Sequence, residues 1–133
     1  MKKRTYILFF AVLLFAIITI FLLYKNSNKI SISDISGEWT RKTYYGIETY
    51  NFSDTGKFTY ERESTNDSND LRMKYNYKLV KGKNGNYYID VSNCKSDDYE
   101  KYCNMFDGHM QIDIIDGNLN FVGNVVIKLK RKQ

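Results

Sequence analysis

The chain contains two different patterns of hydrophobic and polar positions. Residues 6–24 include no charged or amide side chain. At ~1.5 Å of rise per residue this stretch gives roughly 28 Å of apolar helix, close to the ~30 Å hydrocarbon core of a bilayer. Beyond residue 36, apolar and polar residues alternate with period two, as in strands with one buried face. The sequence therefore predicts one transmembrane helix followed by an all-β domain.

Basic residues flank the apolar segment and predict its orientation. Lys2, Lys3 and Arg4 precede it, whereas only Lys25 and Lys29 follow closely. Because a short basic tail stays in the cytoplasm, we expect the C-terminal domain to lie outside the cell. The amino-acid composition is typical of a low-GC Gram-positive bacterium. A cleaved signal peptide is the alternative, but the apolar run exceeds the usual 7–15 residues and no small-x-small cleavage site directly follows it. The sequence thus favours an uncleaved signal-anchor.

Turn-forming residues divide residues 37–131 into seven or eight short strands. Gly46 separates the first two strands, and Asp116-Gly117 indicates a type I′ hairpin turn. Gly123-Asn124 indicates either another turn or a bulge within one long strand, followed by an inward Val125. Successive short hairpins predict an antiparallel up-and-down barrel, because closure removes exposed sheet edges. The expected order is a cytoplasmic tail (1–5), the signal-anchor helix (6–24), a polar linker (25–36) and the barrel (37–131).

Two short motifs resemble those of lipocalin-like (calycin) barrels. Residues 36–39 (SGEW) resemble the Gly-x-Trp signature at the start of the first strand, and residues 50–58 (YNFSDTGKF) resemble the second hairpin of small bacterial members. The resemblance implies that Trp39 closes the barrel floor, with Arg131, or less well Lys130, packed across it. It also implies non-enzymatic binding of a small apolar or amphipathic ligand.

Large aromatic side chains occupy the inward positions of the predicted strands. They can line a pocket for an apolar ligand, or they can simply fill a small barrel. Because nearly all inward positions are large, the pattern favours a filled interior. The residues expected to contact a ligand are Trp39, Tyr50, Phe52, Phe58, Tyr60, Tyr75 and Tyr77.

The segment between Cys94 and Cys103 carries the second candidate site. Outside the membrane a disulfide is the expected state of these cysteines, with two buried free thiols as the alternative. Tyr99 and Tyr102 within this loop are expected to face outward, where they suit protein recognition. They support an alternative function: a protein-interaction module with a filled barrel, directed at an envelope protein or acting as an immunity or inhibitor factor.

Charge and candidate chemistry exclude several other classes of function. Three of the 20 basic residues lie in the N-terminal tail, and the others nearly balance the 15 acidic residues. They form no basic stripe of the kind that binds nucleic acid. Asp97, Asp98 and Glu100 lack the spacing of a calcium loop. The single histidine, His109, has no accompanying nucleophile motif. We expect no enzymatic activity, no metal and no cofactor.

Overall fold

A long apolar helix precedes the folded domain in the computed structural model, which describes residues 2–27, 29–65, 70–96, 100–106 and 108–133. Helix α1 comprises Lys2–Ser27. Its segment Tyr6–Leu23 is long and apolar enough to cross a membrane, and none of it is buried against the rest of the chain. Length and composition therefore agree with the predicted helix over residues 6–24.

Eight antiparallel strands form a closed barrel, which confirms the predicted all-β class. Each strand pairs with its neighbours in sequence, and the last strand pairs with the first. Alternation places one face of every strand in the core, where burial of apolar surface supplies most of the stabilisation. The strands are β1 (Gly37–Thr43), β2 (Gly46–Phe52), β3 (Lys57–Ser64), β4 (Leu71–Lys81), β5 (Tyr87–Ser96), β6 (Gly108–Ile115), β7 (Asn118–Val122) and β8 (Ile127–Arg131).

Two turns differ in part from their predicted form. The first turn is made by Tyr44 and Tyr45, and Gly46 is the first residue of β2. Gly46 has a φ of 142°, and a Cβ there would lie 1.9 Å from the Glu63 carbonyl oxygen, so close strand approach requires glycine. Residues 123–126 form a loop between β7 and β8, which agrees with the turn and not with the bulge of the two predicted alternatives. The predicted inward position of Val125 is wrong, because the loop interrupts the alternation and leaves this side chain 76% exposed.

The predicted polar linker over residues 25–36 is also corrected. Helix α1 continues to Ser27, and the short helix α2 (Ile32–Ile35) lies immediately before β1. Asp34 accepts a 2.7 Å hydrogen bond from the Ser31 backbone N–H, which closes the first turn of α2. Ile35 is fully buried in the core. This segment therefore belongs to the barrel, and its single buried isoleucine gave no periodic signal in the sequence.

The barrel has two ends, which we call the floor and the rim. The floor carries α2 and the turns at residues 53–56, 82–86 and 116–117. The rim carries the turn at residues 44–45, the segments joining β3 to β4 and β5 to β6, and the loop at residues 123–126. Ser27, the last residue of α1, and Ile32, the first residue of α2, are five residues apart in the sequence and therefore at most about 18 Å apart. The floor is therefore the end next to α1, and the rim is the far end.

Candidate functional site

The barrel interior is filled by stacked aromatic rings. Phe52 and Phe58 stack with centroids 4.5 Å apart, and Tyr77 meets Phe52 edge-on at 5.3 Å. Such offset and edge-to-face contacts add to the stabilisation from burial. The structure brings together six of the seven residues expected to contact a ligand, and each packs against another ring of the set: Tyr50, Phe52, Phe58, Tyr60, Tyr75 and Tyr77.

Phe106 fills the rim end of this aromatic core from a loop rather than from a strand. It follows the 3₁₀ helix Glu100–Met105 and is only 7% exposed. Its ring centroid lies 4.9 Å from that of Tyr60, 5.5 Å from Phe58, 5.8 Å from Tyr50 and 5.9 Å from Tyr75. The space that a ligand would enter from the rim is therefore occupied by the chain's own side chain.

Most hydroxyl groups of the core tyrosines have partners inside the barrel. The Tyr77 hydroxyl donates to the Ser53 carbonyl at 2.5 Å, and the Tyr75 hydroxyl reaches the Cys103 carbonyl at 3.3 Å. The Tyr75 bond ties the β5–β6 connection to the interior, beside Phe106. These bonds offset the cost of removing the hydroxyl groups from water.

A buried carboxylate lies among the rings on the rim side. The Glu48 side chain is 9% exposed and forms a salt bridge with Arg41, with Nη2 and Oε2 2.8 Å apart. It also accepts a 2.8 Å hydrogen bond from the Tyr50 hydroxyl. Burial, and then the Glu48 charge, raise the pKa values of Tyr50 and Tyr60 well above the usual range for tyrosine. The salt bridge and the Tyr50 hydrogen bond satisfy the carboxylate, whereas the neighbouring Tyr60 hydroxyl is buried without a hydrogen-bond partner among the described residues.

The floor is closed by Trp39 and Arg131. The Trp39 indole N–H donates to the Ile35 carbonyl at 2.7 Å, which fixes α2 over the barrel. The Arg131 guanidinium lies 4.3 Å from the Trp39 ring centroid and donates to the carbonyls of Ser36 and Asp34, both at 2.9 Å. Arg131 thus occupies the position across the tryptophan that the lipocalin resemblance implies, through a cation–π contact and two hydrogen bonds.

An open, mostly polar cleft of about 600 Å³ lies at the floor, outside the aromatic core. Lys29 and Asp34 line one side of it, and Gln111 and Asp113 line another. Of the seven predicted ligand contacts, only Trp39 reaches this cleft. The large cleft and the predicted aromatic site are therefore at different places.

The segment between Cys94 and Cys103 is closed by a disulfide, as predicted, with the two Cα atoms 5.5 Å apart. Tyr102, predicted to face outward, is half-buried and packs against the core. It lies in the 3₁₀ helix Glu100–Met105, which packs this side chain against the core instead of exposing it as a loop residue. Tyr99 lies outside the described residues, as do Asp97 and Asp98. The disulfide therefore holds the segment that carries Phe106 into the barrel.

Exposed apolar side chains gather at the rim. Tyr44 is 82% exposed and Tyr45 62% exposed, and their rings contact each other edge-on. Because β8 pairs with β1, the β7–β8 loop lies beside this turn. We define the rim patch as the exposed residues Tyr44, Tyr45, Ile47, Met105, Val125 and Val126. Within the described part of the barrel, these six are most of the large apolar side chains that are exposed, and the other two, Ile32 and Ile115, lie at the floor. Exposed apolar side chains grouped at one end of a domain are typical of protein-interaction sites.

His109 lies on the outer surface and makes structural contacts. Its Nδ1 contacts Asp90, and its ring stacks on Tyr88 at 4.1 Å. No hydroxyl or thiol nucleophile is among its hydrogen bonds within the described residues. Nor does that part of the chain bring three or more His, Cys, Asp or Glu side chains together as metal ligands. Neither arrangement supplies a catalytic constellation.

Sequence reasoning missed the Arg41–Glu48 pair and Phe106. The pair had a usable signal, because alternation places Glu48 inward two residues before Tyr50, and the β1–β2 hairpin sets Arg41 directly opposite it. Phe106 had none, because loop residues follow no period.

Comparisons of the chain with protein-family models, with curated proteins and with solved structures find no match. The geometry of the chain itself therefore carries the functional argument. That geometry consists of a closed eight-stranded barrel with an N-terminal apolar helix, a disulfide and an aromatic interior.

Proposed function

We propose that this protein is a membrane-anchored, extracytoplasmic and non-enzymatic module with a lipocalin-like barrel, and that it binds a protein partner through its rim. The proposal is carried by one observation: apolar side chains fill the barrel interior, and others are exposed to solvent at the rim. The interior is filled by the chain's own rings, including Phe106, while the rim patch leaves six apolar side chains in solvent. Binding is then a property of the outer surface.

Location outside the cytoplasm is supported by two features. The disulfide Cys94–Cys103 is favoured in an oxidising compartment. The basic residues before α1 favour a cytoplasmic N-terminus, with the barrel on the other side of the membrane. With the floor next to α1, this orientation directs the rim away from the bilayer.

We propose a protein partner rather than the small apolar or amphipathic ligand that the lipocalin resemblance implies. A ligand site in the barrel requires open space bordered by the inward aromatic residues. Tyr50, Phe58, Tyr60 and Tyr75 instead surround Phe106 at ring contact distances. The open cleft at the floor is mostly polar, and of the residues expected to contact a ligand only Trp39 lines it. A filled barrel with an exposed apolar rim fits recognition of another protein.

Site-specific photocrosslinking in living cells tests this proposal. A photoreactive phenylalanine replaces Tyr44 or Val125 at the rim, and Lys78, exposed on the outer face of β4, serves as the control position. We expect the two rim positions to give the same discrete protein adduct and Lys78 to give none. Absence of an adduct from both rim positions, or the same adduct from all three, contradicts the proposal.

A further inference from the structure

The barrel is closed along the seam between β1 and β8, and this seam is paired only near the floor. The β1–β2 ladder runs over all seven residues of β1. The β1–β8 ladder, in contrast, consists of Trp39–Arg131 and Thr40–Lys130, extended toward the floor by a 2.9 Å bond from Lys132 N–H to the Glu38 carbonyl. The rim half of both strands therefore lacks paired partners across the seam.

The register identifies the backbone groups that this leaves open. In an antiparallel ladder, hydrogen-bonded pairs recur at every second residue. Glu38–Lys132 and Thr40–Lys130 are such pairs, and the next one toward the rim is Lys42–Lys128. That pair is not formed in the ladder. The peptide groups of Lys42 and Lys128 thus face the seam without their reciprocal hydrogen bonds, as at the free edge of a sheet.

Both side chains at this position are cationic and exposed. Trp39 and Leu129 point into the core, so alternation directs Lys42 and Lys128 outward. Within the described part of the chain, neither ammonium group forms a salt bridge. The nearest carboxylates in this row lie two strands away, Glu63 from Lys42 and Asp113 from Lys128, so each is separated from its lysine by roughly 10 Å. The open seam is therefore locally positive.

Charge and neighbouring surface together define the occupant. A second copy of this chain would bring two further lysines against these two, so like-charge repulsion disfavours it. The rim patch continues from the seam, because the Tyr44–Tyr45 turn follows β1 and the loop carrying Val125 and Val126 precedes β8. The complementary ligand offers backbone groups, negative charge and apolar side chains.

We infer that the rim half of the β1–β8 seam docks an extended protein segment in which acidic and apolar residues alternate. The segment adds to the free edge by hydrogen bonds to the Lys42 and Lys128 peptide groups, as in other cases of β-strand addition. Its carboxylates face the two ammonium groups on the outer face, and its apolar side chains alternate to the inner face, where Ile127 is half-buried at the rim. This inference rests on the proposed function and names the class of partner segment and its place.

Peptide binding to the full chain in nanodiscs of zwitterionic lipid tests the inference. The probe is the fluorescent hexapeptide Glu-Val-Glu-Val-Glu-Val, and its Lys-Val counterpart is the control, both followed by anisotropy. We expect the acidic peptide to bind at least tenfold more tightly than the basic one, and added salt to weaken it. With the acidic peptide at one hundred times its Kd, amide exchange at Lys42 and Lys128 slows by about a hundredfold.

Two double variants with the same change in net charge locate the site. Lys42→Glu/Lys128→Glu acts at the seam, and Lys74→Glu/Lys78→Glu acts on the outer face of β4, half the strand ring away from β8. We expect at least a tenfold loss of affinity in the seam variant and less than a twofold change in the other. Equal losses, binding of neither peptide, or Lys42 and Lys128 amides already protected in the free protein each overturn the inference.

The photocrosslinking experiment separates this inference from the proposed function. A rim-specific adduct that persists in the seam variant leaves the proposed function standing and rejects the seam as the docking site. Loss of the adduct in the seam variant alone, with the adduct retained in Lys74→Glu/Lys78→Glu, supports both.

Discussion

Phe106→Ala tests whether the rim loop is a structural part of the barrel core. Phe106 is 7% exposed and meets four aromatic rings at centroid distances from 4.9 to 5.9 Å. Replacing a buried phenylalanine by alanine costs about 3–5 kcal/mol, because the transfer free energy is lost and a cavity remains. We expect the lower part of this range, about 3 kcal/mol, because a loop relaxes into a cavity more easily than a strand.

The assay is equilibrium unfolding by urea of the full chain in detergent micelles, with the disulfide intact. Trp39 is the only tryptophan and is fully packed at the floor, so its fluorescence reports on the whole barrel. With an m-value of about 1.5 kcal/mol/M, a loss of about 3 kcal/mol lowers the midpoint by roughly 2 M. The matched control is Met105→Ala on the preceding residue, whose side chain is 50% exposed.

We expect Met105→Ala to cost less than about 1 kcal/mol. The reasoning is refuted if Phe106→Ala also stays within 1 kcal/mol of the wild type, because the loop then contributes no packing to the core. It is equally refuted if the two variants lose the same stability, because the effect then belongs to the helix and not to the buried ring.

Three further predictions concern the floor, the disulfide and the buried phenols. Arg131→Met keeps the apolar stem but removes the cation–π contact and two hydrogen bonds. We expect the free energy of unfolding in the same urea titration to fall by about 1–2 kcal/mol. An unchanged urea midpoint argues against closure of the floor by this residue. Reduction of Cys94–Cys103 with dithiothreitol should cost about 2.5 kcal/mol from loop entropy, and equal stability of the two redox forms contradicts this. The pKa values of Tyr50 and Tyr60 are raised in the folded state, so both phenols stay neutral there at a pH where they ionise in the unfolded chain. Their contribution to the free energy of unfolding is therefore fully present below pH 10 and is lost as the pH rises above it. The free energy of unfolding should then fall above pH 10 by up to about 1.4 kcal/mol per pH unit for each phenol. Tyr50→Phe should reduce this slope. A slope that stays unchanged in Tyr50→Phe shows that other groups cause the loss of stability.

The parts of the fold that repeat were predictable from the sequence. Period-two alternation over residues 71–80 predicts β4, and its inward residues are those found in the core. Asp116 and Gly117 both adopt the positive φ that a type I′ turn requires. The uncharged stretch of residues 6–24 predicts the apolar helix. Each of these signals is local, so a single sequence carries it.

The parts that depend on single contacts were not predictable. Ile35 and Phe106 close the two ends of the barrel, yet each has an exposed apolar neighbour, Ile32 and Met105 respectively, from which the sequence does not distinguish it. Tyr102 was predicted to face outward in a loop, but the segment forms a 3₁₀ helix that packs it against the core. The filled interior follows from how Phe106 packs against rings of three different strands. Such packing depends on tertiary geometry, which sequence spacing alone does not encode.

The central claim is that the barrel holds only its own side chains, and native mass spectrometry of the full chain from its host membrane tests it most directly. The account predicts one mass after release from detergent, equal to the bare chain and two hydrogens lighter than the reduced form because of the disulfide. A reproducible additional mass that stays bound to the folded chain and is released on unfolding contradicts the filled interior and identifies a ligand-carrying barrel.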